Sequence, residues 1–324
     1  MTRARDNAFN PFNNNYAGKN VLINGDMGIW QRGISFAVTG PGAVIYSADR
    51  WTCYAGNTGT ITRDSSFAPV GFENSLKFTS TINNSAIDFY QLIETKNVVP
   101  LQGKTVTLSA YVAGTDGKTN PGMTAYYSTT NDDMVYLTSG VLMQVAAVPA
   151  ALSSTSFQRM SMTFTVPSTA KTIRIGLISN VLNNTEFINW TGVQLEVGSI
   201  PTPFSRSSGT VGGELAACQR YYWKTDSASS YFYSGFSYSS TIFFSQIPHP
   251  VIMRTPPTFI PTGSAGDYRI LQGGSFIATS PPTQETSLRN VSTLRYTGSG
   301  YTVGYGGAGS GNNANAFLSF SAEL

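Results

Sequence analysis

Thr105-Val-Thr-Leu-Ser-Ala-Tyr-Val112 alternates apolar and polar side chains without a break, so Val106, Leu108, Ala110 and Val112 share one face of an extended strand. The same period of two returns twice further on. Met160, Met162, Phe164 and Val166 form a stripe that stops at Pro167, and Ile173, Ile175 and Leu177 form another, alternating with Thr172, Arg174 and Gly176. Each stripe needs a cover. Residues 21–207 offer no amphipathic helix to provide it, so a second sheet must, and the reading is a β-sandwich of jelly-roll type. Short strands punctuated by Gly, Pro, Asn and Asp clusters agree with that reading.

Outward from this domain the chain divides. Residues 1–20 read as an N-terminal arm, because residues 7–15 (NAFNPFNNN) mix turn formers with two isolated rings and have no period. The arm is either a frayed terminus or an attachment segment that docks through Arg3, Arg5, Phe9 and Phe12. Residues 208–224 form a linker with a short helix predicted over 213–224, in which Leu215, Cys218 and Tyr222 recur at i, i+3 and i+7. That stripe either caps the first domain or packs three copies about an axis. Residues 225–324 read as a second, smaller β domain. Its ring-dense stretch 230–247 is followed by Pro248, Pro250, Pro256, Pro257 and Pro261, which confine residues 251–260 to edge or loop geometry. Further strands are predicted at 268–270, 291–296 and 317–324. The fold class is all-β throughout, with no repeat at a 20 to 50 residue period.

Composition narrows the function. Charged residues are 11% of the 324, against roughly 25% in an ordinary soluble domain, whereas Gly (32) and Tyr (17) are abundant. Such a surface offers hydroxyls, amides and rings, which suit subunit contacts or uncharged ligands such as sugars. A net charge of +3 without any run of Lys or Arg gives nucleic-acid binding no electrostatic support. No stretch approaches the ~18 apolar residues of a membrane helix, and the start lacks a signal-peptide core. The expectation is folding in a cytoplasm without membrane insertion. Cys53 and Cys218 match no metal or redox spacing and are expected to be free thiols, a single bridge being the alternative.

Several words in the chain then combine: Val21-Leu-Ile-Asn-Gly-Asp-Met27, Ile29-Trp-Gln-Arg-Gly33, Tyr46-Ser-Ala-Asp-Arg-Trp51, Thr191-Gly-Val-Gln-Leu-Glu-Val-Gly198 and Pro201-Thr-Pro-Phe204. Glu214-Leu-Ala-Ala-Cys-Gln-Arg-Tyr-Tyr222, Pro250-Val-Ile-Met-Arg-Thr-Pro-Pro257 and Phe317-Leu-Ser-Phe-Ser-Ala-Glu-Leu324 continue the series. In this order the words resemble bacteriophage tail-fibre and virion appendage proteins. That resemblance implies a homotrimer on the tail or particle surface, assembled in the host bacterial cytoplasm. It further implies docking of the arm to other tail or capsid proteins, and recognition of host surface polysaccharide or lipopolysaccharide. The first domain also resembles the jelly rolls of cellulose- and xylan-binding modules. It departs from them where Met27 and Gly28 replace an aromatic and a carboxylate, and where residues 189–192 supply no closing Asp, so no calcium or other cofactor is expected.

Catalytic constellations are poorly supplied. His249 is the single histidine and lies between Pro248 and Pro250, which leaves no histidine-based triad or zinc site. Asp132 and Asp133 read as a loop tip, and Glu73, Asp88, Glu94, Glu186 and Glu196 are scattered, so no acid/base pair is evident and no enzyme is expected. Trp30, Trp51 and Trp190 read as core. Candidate glycan-stacking rings are Tyr126, Tyr127 and Tyr136, flanking the loop 128–133, and Tyr296, Tyr301 and Tyr305 around the Gly-rich run 298–311. For the latter three, subunit packing is the competing and favoured role, and the run itself reads as a flexible turn or a tight trimer contact. Three functions remain: a glycan-recognising fibre, a purely structural virion protein, and a glycan-degrading tailspike.

Overall fold

The computed structural model describes residues 19–133, 140–225, 231–261, 263–313 and 316–324. They divide into two compact units, one running to Leu215 and taking in Leu324, the other covering Ala216–Glu323.

The first unit contains β1 (Ser35–Val38), β2 (Val44–Tyr46), β3 (Thr52–Ala55), β4 (Gly59–Asp64), β5 (Ser75–Ser80) and β6 (Ser85–Ile93). After the four-residue helix α1 (Thr95–Val98) come β7 (Thr105–Gly114), β8 (Gly122–Ser128), β9 (Val141–Ala147), β10 (Gln158–Thr165), β11 (Thr172–Leu182) and β12 (Phe187–Val197). They form two six-stranded antiparallel sheets, ordered β1-β4-β5-β12-β7-β10 and β2-β3-β6-β11-β8-β9. The three sequence stripes face one core between the sheets. Strands β7 and β10 pair Leu108 with Met162 and Val106 with Phe164 in the first sheet, while Ile173, Ile175 and Leu177 project from the second into the same apolar cluster. Burying rows of this size against each other is the main favourable contribution to the fold. Trp51 and Trp190 lie fully inside this core, and Trp30 is nearly so.

The recurring words lock its loops. Asn24 is buried with φ +58°, a conformation Asn tolerates better than most residues. Its side-chain NH₂ donates to the Ile29 and Asp49 carbonyls, its Oδ1 accepts from the Ile29 N–H, and its own carbonyl accepts from Trp51 Nε1. In the closing word, Glu196 accepts from the Thr202 N–H at 2.8 Å and from the Thr202 hydroxyl at 2.6 Å. Against the desolvation of its pocket, these bonds hold its carboxyl below the usual range.

The second unit contains β13 (Tyr222–Lys224), β14 (Tyr231–Ser237), β15 (Ile242–Pro248), β16 (Thr258–Pro261), β17 (Tyr268–Gln272), β18 (Ser275–Thr279), β19 (Thr283–Ser287), β20 (Val291–Thr297), β21 (Gly306–Gly311) and β22 (Leu318–Ser321). A three-stranded sheet, β13-β22-β16, and a seven-stranded sheet, β18-β17-β21-β14-β15-β20-β19, supply Trp223, Phe243, Tyr268, Leu294, Tyr296 and Phe320 to its core.

Two expectations require correction. The helix predicted over 213–224 is α2 (Val211–Gln219), and Tyr222 lies beyond it on β13. Leu215, Cys218 and Tyr222 therefore form no common helical stripe, and Cys218 and Tyr222 are already buried within a single chain, which removes both from any trimer face. The Gly-rich run is no flexible turn either. Its second half is β21, a central strand between β17 and β14, and the rings of Phe243 and Tyr296 fill the room that side chains at Gly307 and Gly309 would need.

Candidate functional site

On β6, Ile87, Phe89 and Ile93 point into the core, so Asp88 and Tyr90 point out. The same alternation sends Arg174 and Gly176 of β11, Thr124 and Tyr126 of β8, and Tyr54 of β3 to this outer face of the second sheet. Register then sets their order. Gly176 lies between Tyr90 and Thr124 across the sheet, and Arg174 is opposite Tyr126.

Arg174 organises the face. One of its guanidinium nitrogens makes a close ion pair with the Asp88 carboxylate, while its guanidinium carbon lies 4.4 Å from the Tyr90 ring centroid and 5.7 Å from that of Tyr126, within cation–π range. Burial raises the Asp88 carboxyl above its usual value despite the opposing pull of Arg174, and burial foremost pushes the Tyr90 phenol up to about 12. The Tyr90 phenol therefore stays protonated at neutral pH.

Gly176 stands in this row because its neighbours leave no room for a side chain. A Cβ placed there would come within 2.4 Å of Thr124 Oγ1, 3.0 Å of Asp88 Oδ1 and 3.2 Å of Arg174 Nη1. Thr124 Oγ1 and Asp88 Oδ1 are buried and have no hydrogen-bond partner among the described residues. Both atoms are covered within the sheet face, and what that face offers to solvent are the half-buried rings of Tyr54 and Tyr126. Rings held in this way suit stacking on the flat apolar face of a ligand.

Of the six tyrosines proposed from the sequence, Tyr126 belongs to this face. Tyr127, its neighbour on the strand, points the other way and packs on the core. Tyr136 lies outside the described residues, as do Arg3, Arg5, Phe9 and Phe12 of the arm. Tyr296 and Tyr301 are corrected: both are buried against the Phe243 ring, at centroid distances of 6.3 and 6.2 Å, and have no face to offer a sugar. Tyr305 is 60% exposed. Sequence reading missed Asp88, Tyr90, Thr124, Arg174 and Gly176 as a set, because the strands that carry them are far apart in the chain. The signal available was the interruption of an alternating strand by Gly176.

Several other carboxylates serve structure. Asp132 accepts from the Thr95 N–H at 2.7 Å while its own N–H donates to Thr95 Oγ1. Glu94 pairs with Lys96, Glu186 with Lys118, and Asp26 with Arg206 at 2.6 Å. Among the described residues no group of three His, Cys, Asp or Glu side chains is arranged to hold a metal ion, and no helix is long and apolar enough to cross a membrane. Cys53 and Cys218 are buried and not joined to each other, and burial pushes the Cys53 thiol up to about 12.

No described protein family matches the chain, and no curated protein matches it. Solved structures share part of its fold. They include a putative sugar-binding protein from Bacteroides thetaiotaomicron (10% identity over 55% of this chain and 100% of that one, TM-score 0.35). The CBM22-1 xylan-binding domain from Paenibacillus barcinonensis Xyn10C is similar at 14% identity, over 57% of this chain and 98% of that one, TM-score 0.34. The enzymatically active domain of tailspike protein 4 from bacteriophage CBA120 is similar at 16% identity over 46% of this chain, which spans only 19% of that domain, TM-score 0.34. At these scores no property of those proteins transfers. The chain is an all-β protein with a jelly-roll-type sandwich and a second β unit.

Proposed function

We propose that the chain is a glycan-recognising attachment protein of a bacteriophage particle, a tail fibre or fibre-like adhesin without catalytic activity. The observation that carries the recognition is the outer face of the second sheet, where Arg174, paired with Asp88, holds the rings of Tyr90 and Tyr126 in a row. Such rings take the apolar faces of a sugar. The phage assignment rests on the motif words from residue 21 to the C-terminus. In this reading the arm docks to tail or capsid proteins and the chain is a homotrimer. Exposed Val141, Leu142 and Val145 on β9, at the edge of the second sheet, provide an apolar strip suited to contact between copies.

The test is binding of the full-length chain to host-cell polysaccharide and lipopolysaccharide, with Tyr54→Ala and Tyr126→Ala compared against wild type. Each substitution is expected to weaken binding at least tenfold. Binding equal to wild type in both variants would remove the site, and no binding by any form would remove the glycan reading.

A further inference from the structure

We propose a second, separate carbohydrate site on the outer face of the seven-stranded sheet in the second unit, built to take a neutral oligosaccharide. An open groove of about 770 Å³ runs there, lined among others by Phe236, Phe244, Gln246, Pro248, Thr293 and Glu285. That volume lies within the roughly 300–1,000 Å³ of small-molecule sites.

The strand pattern explains why these side chains meet. On β15, Phe243, Ser245 and Ile247 are buried, so Phe244, Gln246 and Pro248 point outward. Register sets Phe236 of β14 opposite Phe244, and Gln246 opposite Thr293 of β20. An aromatic pair is thus followed along the groove by an amide paired with a hydroxyl. Phe236 is 52% exposed and Tyr238 is 64% exposed, and their rings lie 6.3 and 5.7 Å from that of Phe244. Three rings thus form an accessible cluster on one sheet. A β-bulge in β19, between Gln284 and Thr286, inserts Glu285 as an extra residue, and Glu285 reaches the groove wall.

These features together select the occupant. A neighbouring protein chain would need a broad apolar surface, whereas amide, hydroxyl and carboxylate acceptors alternate with the rings here. Glu285 is the single charged residue in the lining, and Arg295, opposite Phe244 on the same sheet face, balances it, so the groove has no net positive charge to hold an acidic polysaccharide. Pyranose rings of a neutral glycan present C–H faces for Phe236, Phe244 and Tyr238, and hydroxyls for Gln246, Thr293 and Glu285.

The experiment uses the full-length chain carrying Tyr54→Ala and Tyr126→Ala, so that the first unit's face no longer contributes. Affinity is measured by calorimetry for a panel of immobilisable neutral and acidic oligosaccharides, then repeated after adding Phe236→Ala or Gln246→Ala. Both added substitutions alter outward side chains, and unchanged melting temperatures verify folding. The expected result is binding of at least one neutral oligosaccharide, no binding of acidic ones, and at least a tenfold loss for either added substitution. Failure of the first unit's site leaves this outcome unaffected, so the two proposals fail separately. Absence of neutral-glycan binding, or affinity unchanged in both groove variants, would overturn the assignment. So would a drop in oligomeric mass caused by Phe236→Ala with sugar binding intact, because the groove would then be covered by a second copy.

Discussion

At the scale of single residues, His249 shows how a lone titratable group becomes part of a core. Trp223 Nε1 is only a donor, so its 3.1 Å bond makes His249 Nδ1 the acceptor and leaves the ring proton on Nε2, which is 3.1 Å from Ser292 Oγ. Burial lowers its pKa from 6.5 to about 4. The unfolded chain takes up this proton near pH 6.5 and the folded chain only near 4. Stability from this residue is therefore complete above pH 6.5 and falls as pH drops from 6.5 towards 4. Denaturant midpoints of wild type and His249→Gln, measured from pH 7.5 to 4.5, should show wild type losing its advantage over the variant across that window. A constant difference between the two would contradict the assignment. The surroundings that suppress its protonation, Trp223 and Phe320, come from opposite ends of the unit's sequence and cannot be inferred from the flanking prolines.

At the scale of elements, alternation was a sufficient guide wherever one face of a strand was buried. The stripes at 106–112, 160–166 and 173–177 all became core faces, because a strand shifted by one residue would expose its whole apolar set. Where local pattern and tertiary packing disagreed, packing prevailed. Tyr222 fits a helical stripe by spacing, yet strand pairing with Ser321 takes it into β13. The glycines of β21 carry no strand signal, and their strand exists because neighbours on both sides pair with it and rings lie over it. The opening word is an element held by one side chain. Asn24→Ala should destabilise the chain by about 3 kcal/mol, through two unpaired buried carbonyls, an unpaired N–H and a non-glycine residue left at positive φ. Urea unfolding of the variant checks this, and a loss under about 1 kcal/mol would mean that the loop is held by other contacts.

At the scale of the whole molecule, the proposed homotrimer is tested by mass photometry of the intact chain, with three copies expected. Leu142→Lys together with Val145→Lys should yield a monomer that melts near wild type, since both side chains are half exposed in the single chain. A trimer unaffected by the pair would place the contact elsewhere, and a monomeric wild type would remove it. By itself, the amino-acid sequence determined the all-β class, the sandwich in the first 200 or so residues and the core tryptophans. These follow from local periodicity and from residue chemistry that neighbours in the chain reveal. Tertiary structure alone decided which tyrosines are surfaces and which are core, and that Asp88, Thr124, Arg174 and Gly176 meet on one outer face. Cross-strand register brings together residues up to 88 positions apart, from Asp88 to Gly176, and no pattern within either strand encodes which partner lies opposite.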